Sequence, residues 1–212
     1  MVQCPSCARS CEPRLACPQC GAPLGAELDL FAALGLPRRL VLDSRELERL
    51  YHDTGRRIHP DRFATAAPEV REASLRSMAL LTRSYRTLRD PVSRGRYWLE
   101  LAGEKLAENN QRVPSDLAEL VFEIQEQIGE LRGARNGGAN ELGAAMKTRR
   151  AELERLVGTT EEELERNFAR WDDGAGEHQD LVKELKFVLS RIAYLRTLTR
   201  DVDRALDSAT AN

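Results

Sequence analysis

The sequence predicts an all-α protein: a helical hairpin followed by a three-helix bundle, preceded by a small cysteine-knuckle module. Three observations carry that prediction. The 212 residues are 42% hydrophobic and 31% charged but only 5% aromatic, a balance that suits a soluble helical chain rich in Leu, Ala, Glu and Arg. From about residue 44 onward, apolar residues recur at spacings of three, four and seven, the period of amphipathic helices. All five cysteines fall within the first 20 residues.

The length allows one large domain or two small ones. No apolar run approaches the roughly 20 residues needed to span a bilayer. The start, Met1-Val2-Gln3-Cys4-Pro5, lacks a signal-peptide pattern, so a cytosolic (cytoplasmic) protein without membrane contact is expected. The net charge of -2 is unevenly spread: residues 1–101 carry 16 arginines and no lysine against 12 acidic residues, and the remainder is acidic. The first half can meet an acidic partner, but the excess is too thin for a dedicated nucleic-acid binder.

Cys4-Pro5-Ser6-Cys7 and Cys17-Pro18-Gln19-Cys20-Gly21 are paired CxxC knuckles. Each can present two thiolates at about 2.3 Å from one Zn²⁺, and together they close a tetrahedral structural site. A segment of ~25 residues has no room for a sizeable core, so metal supplies its folding energy. Disulfides, the alternative, do not suit a chain without a secretory signal. Zinc is therefore expected on Cys4, Cys7, Cys17 and Cys20. Cys11 is the spare, a bystander or competing ligand rather than a nucleophile.

After Pro23 and Gly25, Asp29 to Pro37 reads as a short helix stopped by Gly35 and Pro37. Asp43, with Glu46 three residues on, resembles a capping box opening a helix over 44–58. Leu47, Leu50, Tyr51 and Ile58 mark its apolar side, and Arg45, Arg49, His52 and Arg56 lie along another. Proline disfavours the α region for the residue before it, which stops this helix near Ile58 and leaves His59-Pro60-Asp61 on a stiff turn. Pro68 opens the return helix, which runs to about Arg89. Its Met78, Leu81, Tyr85 and Leu88 are spaced to pack on Leu50, Tyr51 and Ile58. Asp90-Pro91 caps a further short helix carrying Tyr97, Trp98, Leu99 and Leu101; Trp98 reads as core or as a seam between domains.

Residues 103–114 are polar and aperiodic, a linker. Ser115 is expected to cap a helix bearing Leu117, Leu120, Val121, Ile124, Ile128 and Leu131, broken at 133–140. A second helix from about Glu141 is expected to pause near Gly158 and restart with Thr160 and Glu163 as a capping box. After a turn at 172–176, the last helix places Leu181, Leu185, Val188, Ile192, Leu195 and Val202 on one stripe. Three amphipathic helices on short turns imply an antiparallel bundle. The expected divisions are thus 1–25, 26–102, 103–114 and 115–212.

The short helix, the basic helix ending in His59-Pro60-Asp61, the antiparallel return and the small fourth helix together resemble a J-domain. That resemblance implies recruitment of a DnaK-class heat-shock ATPase and stimulation of its ATP hydrolysis. His59, Pro60 and Asp61 would be the essential contact, assisted by Arg45, Arg49, Arg56, Arg57 and Arg62. A J-domain followed by an acidic three-helix bundle is similar to the HscB co-chaperone family of iron-sulfur cluster assembly. Local wording agrees, including His59-Pro60-Asp61-Arg62-Phe63, Leu88-Arg89-Asp90-Pro91, Arg94-Gly95-Arg96-Tyr97 and Lys183-Glu184-Leu185-Lys186-Phe187. The resemblance implies a partner chaperone of the HscA type and an IscU-type scaffold as client. Some family members carry a tetracysteine module like this one.

No Walker-type phosphate loop is present, so the chain is read as a non-enzyme whose partner supplies the catalysis. The family likeness places client contacts on the first and last bundle helices. Leu117, Leu120, Phe122 and Phe187 are the candidates; Leu120 and Phe122 compete through a one-residue ambiguity of register. Phe122 and Phe187 stand off their helices' main stripes, as binding patches or as a second core face. Two other readings stand beside this one: a J-protein with a different client, and a zinc-ribbon nucleic-acid-binding helical protein.

Overall fold

The computed structural model describes residues 1–104, 106, 113–133 and 139–210. It is helical apart from β1 (Val2–Gln3) and β2 (Ser10–Cys11), which pair antiparallel with Val2 opposite Cys11. The helices are α1 (Leu30–Leu34), α2 (Ser44–Ile58), α3 (Pro68–Arg89), α4 (Pro91–Leu101), α5 (Ala118–Gly133), α6 (Ala139–Asp172) and α7 (His178–Thr210). Two compact units result, Met1–Tyr97 and Trp98–Asn212. Among the described residues no helix is long and apolar enough to cross a membrane.

In the first unit, α2 and α3 form the expected antiparallel hairpin. Leu47, Ile58, Leu81 and Leu88 are fully buried between them together with Phe31 of α1. Tyr51 stacks on Tyr85 at 4.3 Å. Asp43 accepts from the Arg45 and Glu46 amides, satisfying donors that the first turn of any helix leaves open. The capping box stays half built, because the Glu46 carboxylate turns to Arg49 at 2.6 Å. Asp29 caps α1 in the same way, and Gly35 ends it with φ 70°.

The sequence Arg94-Gly95-Arg96-Tyr97 acquires a structural meaning. Arg94, 5% exposed, donates to the Leu88 carbonyl at 2.7 Å, closing the C-terminus of α3 with a cation where the helix dipole favours one. The Tyr97 hydroxyl accepts from the Leu30 amide at 3.0 Å and so holds α1.

In the second unit, Ile124, Ile128 and Leu131 of α5 meet Met146 and Leu153 of α6 and Leu195, Leu198 and Val202 of α7. The stripe predicted for the last helix is buried throughout. Trp98 meets Trp171 edge-on at 5.9 Å. Ion pairs stitch the helices on their outer faces, Arg150 to Asp203 at 2.5 Å and Arg196 to Glu161 at 2.6 Å.

Two local expectations fail. The pause near Gly158 does not occur: α6 runs unbroken from Ala139 to Asp172. Thr160, buried in α6, returns its hydroxyl to the Leu156 carbonyl at 2.7 Å instead of capping a new helix, a back-bond open to threonine inside a helix. Ser115 is not a cap either. Pro114 holds that position without a side-chain bond, and Ser115–Leu117 forms a 3-10 turn leading into α5. Residues 105 and 107–112 of the expected linker, and Asn136-Gly137-Gly138 of the expected break, lie outside the described residues.

Candidate functional site

The first cluster is the cysteine module. The sulfurs of Cys4, Cys7, Cys17 and Cys20 all lie within 4.8 Å of one another, with Cys4 to Cys20 at 3.6 Å and Cys7 to Cys17 at 3.8 Å. Four bonds of about 2.3 Å to a central tetrahedral ion give sulfur separations of roughly 3.8 Å, so the donor set fits a zinc-like metal. The two knuckles repeat one backbone design: Gly21 donates to the Cys17 carbonyl at 2.9 Å and Ala8 to the Cys4 carbonyl at 3.0 Å. Both residues are left-handed, with φ 75° at Gly21 and 58° at Ala8, a conformation that glycine takes freely and alanine at a cost.

The backbone amides of Cys20 and Gln19 draw the Cys17 thiol down to about 6. At Cys7 the Arg9 amide acts in the same direction but is overcome by burial and by the neighbouring cysteines, and the thiol is pushed up to about 11. Cys11 is buried beside β1 and stands outside the four-sulfur cluster. Burial, and then the nearby Cys17, raise its thiol.

The second cluster is the His-Pro-Asp turn. His59 leaves α2 with φ -58° and ψ 135°, and Pro60–Phe63 forms a 3-10 turn. The turn is held from three sides. Ser74 of α3 donates to the Ile58 carbonyl at 2.7 Å, the Arg62 amide donates to the His59 carbonyl at 3.0 Å, and the Arg62 guanidinium donates to the Arg56 carbonyl at 3.3 Å. His59 Nδ1 accepts from the Asp61 amide at 3.3 Å and lies 3.3 Å from the Asp61 carboxylate, which ties the ring to the turn. The side chains of His59 and Asp61 are 48% and 89% exposed. Two polar groups are thereby presented on an anchored backbone.

Arg45, Arg49, Arg56 and Arg57 are all exposed on α2. A feature that sequence reasoning overlooked divides them: Asp53 lies between two of them, pairing with Arg56 at 2.5 Å and Arg49 at 3.3 Å. Leu75 of α3 was also passed over, and it is 59% exposed. It lines a hollow with Pro60, Met78, Ala79 and Thr82 next to the turn; its position off the Ser74, Ser77, Leu81 stripe was the available signal.

The four client candidates separate by burial. Phe122 is 71% exposed and Phe187 46% exposed, whereas Leu117 is 3% exposed in the α5–α6–α7 core. Leu117 is therefore a packing residue, since a side chain enclosed by its own bundle has no surface to offer a partner. Leu120 is half-buried against the same core. Phe187 borders a hollow formed with Glu163, Arg166, Asn167 and Arg170 of α6. His178 meets Trp171 edge-on at 5.2 Å, and His52 lies beside Tyr51 and lines a hollow with Arg56 and His59.

No protein-family model matches the chain. It is 30% identical over 181 residues to the co-chaperone protein HscB homolog of Aromatoleum aromaticum, covering 85% of this chain and 94% of that one. It is 33% identical over 105 residues to the HscB homolog of Chromobacterium violaceum, covering 49% of this chain and 60% of the relative. Among solved structures, human co-chaperone protein HscB matches with a TM-score of 0.65 at 23% identity, over 95% of this chain and 97% of that one. At that identity the human structure speaks for the fold, while the near full-length match to the Aromatoleum protein speaks for descent. The chain belongs to the HscB co-chaperone family.

Proposed function

We propose that this protein delivers an IscU-type iron-sulfur scaffold to a DnaK-class chaperone of the HscA type and stimulates that partner's ATP hydrolysis through His59-Pro60-Asp61. The carrying observation is the exposure of His59 and Asp61 on a turn whose backbone is held by Ser74 and Arg62. Asp61 accepts a charge-assisted hydrogen bond from a cation of the partner. The arginines of α2 steer the encounter and orient it. Arg62 has one N–H engaged by the Arg56 carbonyl and contributes its remaining donors.

The client is assigned to Phe122 and Phe187, with Leu120 at the margin. Large apolar groups left exposed beside a filled core are candidate contact patches. Holding client and chaperone on one chain raises the effective concentration of each for the other. Residues 1–25 hold one structural zinc on Cys4, Cys7, Cys17 and Cys20. Bound there, the metal crosslinks the two knuckles and performs no chemistry. The chain itself is no enzyme, and it acts in the cytosol.

The test is the steady-state ATPase rate of an HscA-type chaperone with the scaffold present. The unmutated chain raises the rate, and His59→Gln abolishes the increase while the helical circular dichroism is unchanged. A mutant as effective as the parent would sink the J-domain assignment.

A further inference from the structure

The cysteine module and the hairpin share one compact unit, and at their junction side chains of α3 meet main-chain groups of the module. Ser77 of α3 is fully buried. Its hydroxyl donates to the Leu15 carbonyl at 3.3 Å and accepts from the Gly25 amide at 3.0 Å. Leu15 and Gly25 flank the second knuckle. The Leu15 carbonyl also accepts from the Leu24 amide at 3.0 Å, and the Cys17 amide donates to the Ala22 carbonyl at 2.8 Å. One short ladder thus runs from a metal ligand to a helix serine. At Gly25, φ 60°, an added Cβ would fall 2.9 Å from Arg76 Nε and 3.1 Å from the Ala73 Cα. The module's main chain lies directly against α3.

The module has little else to hold it. Its buried residues are Cys4, Cys11, Leu15, Cys17, Ala22 and Leu24, too little apolar surface for independent stability without a crosslink. One turn before Ser77, Ser74 reaches from α3 to the Ile58 carbonyl at the root of the His-Pro-Asp turn. Ser77 takes its partners from the module and Ser74 from the turn, on one stretch of one helix.

We infer that the metal-loaded cysteine module is a brace on α3, so that metal occupancy sets the local stability of the return helix and of the Ile58–Asp61 turn. Loss of metal releases the Leu15 and Gly25 contacts, uncovers Ala73 and Ser77, and raises the frequency with which α3 opens around Ser74. The metal thereby acts on the chaperone-facing turn without touching it. The inference rests on the assignment of a metal to the four cysteines, and on the co-chaperone reading only for its consequence in ATPase stimulation.

Hydrogen–deuterium exchange on the full chain tests it, comparing the zinc-loaded protein with the same protein after EDTA under reducing conditions, with zinc content measured on each sample. The expected result is exchange at least ~10-fold faster in peptides covering 70–80 and 58–63 after chelation, with peptides of α6 and α7 unchanged, since exchange reports local opening. Ser77→Ala should keep one zinc per chain yet lose most of the zinc-dependent protection of α3. Gly25→Ala, which forces the module off Arg76 and Ala73, should do the same if Ser77→Ala folds poorly. Faster exchange confined to residues 2–24 would overturn the brace while leaving the metal site standing. Full zinc-dependent protection in both variants would overturn it equally. A parent chain that takes up no zinc would remove the metal assignment together with the inference.

Discussion

Ser74 donates its hydroxyl to the carbonyl of Ile58 at 2.7 Å, and both residues are fully buried. Ile58 is the last residue of α2, and the two amides that could serve its carbonyl are turned elsewhere, Asp61 to the His59 ring and Arg62 to the His59 carbonyl. A side chain from the opposite helix therefore closes the helix end that carries His59. Ser74→Ala leaves that carbonyl enclosed and unpaired, at a cost of about 1–3 kcal/mol. Thermal melts should show the loss, and stimulation of the partner ATPase should fall even though His59, Pro60 and Asp61 remain.

Asp53 partly neutralises the basic face of α2 through Arg49 and Arg56. Exposed pairs of this kind contribute little stability, so Asp53→Asn should leave the melting temperature nearly unchanged. It should raise the association rate with the chaperone several-fold at low salt. The gain should vanish at high ionic strength, where charges a Debye length apart no longer sense one another. Stopped-flow measurements at two salt concentrations check this.

Replacement of Cys17 by Ser should abolish binding of one zinc per chain, whereas Cys11→Ser should keep it, because Cys11 stands outside the four-sulfur cluster. Metal analysis after gel filtration reads both outcomes.

The bundle residues divide by what they cost. Phe122→Ala and Phe187→Ala remove exposed side chains and should weaken scaffold binding, read by titration calorimetry, with melting temperatures close to the parent. Leu117→Ala empties a core position and should destabilise by about 2–5 kcal/mol. Equal melting temperatures for all three would contradict this division.

Asp29 supplies a pH dependence. Burial works to raise its carboxyl, but the Ala32 and Phe31 amides and the Arg38 guanidinium prevail and hold it below the usual carboxylate range. A carboxyl lowered on folding stabilises the fold fully above its unfolded value of about 3.9, and the contribution fades as pH falls through the lower folded value. Asp29→Ala should cost about 0.5–2 kcal/mol at neutral pH, on the scale of a lost helix cap. It should also flatten the acid side of the stability profile below about pH 4.

The sequence by itself determined the helical hairpin, the caps of α1 and α2 and the two cysteine pairs. Each depends on short-range pattern: proline after His59 stops α2, Asp43 and Asp29 cap the residues next to them, and a CxxC pair sets its own sulfurs. The exposed position of Phe122 and Phe187 was legible only as a departure from a stripe, and Leu117, on its stripe, is buried as that stripe implies. Only the tertiary structure decided that Ser74 and Ser77 matter. A serine within a helix carries no sign of its partner, and theirs are carbonyls 16 and 62 residues away in sequence. Asp53 differs from them: its pairs with Arg49 and Arg56 fall at i,i+4 and i,i+3 on one helix, spacings the sequence already shows. For the two serines, the choice among bonds open to a short polar side chain falls to whichever neighbour the fold brings within about 3 Å.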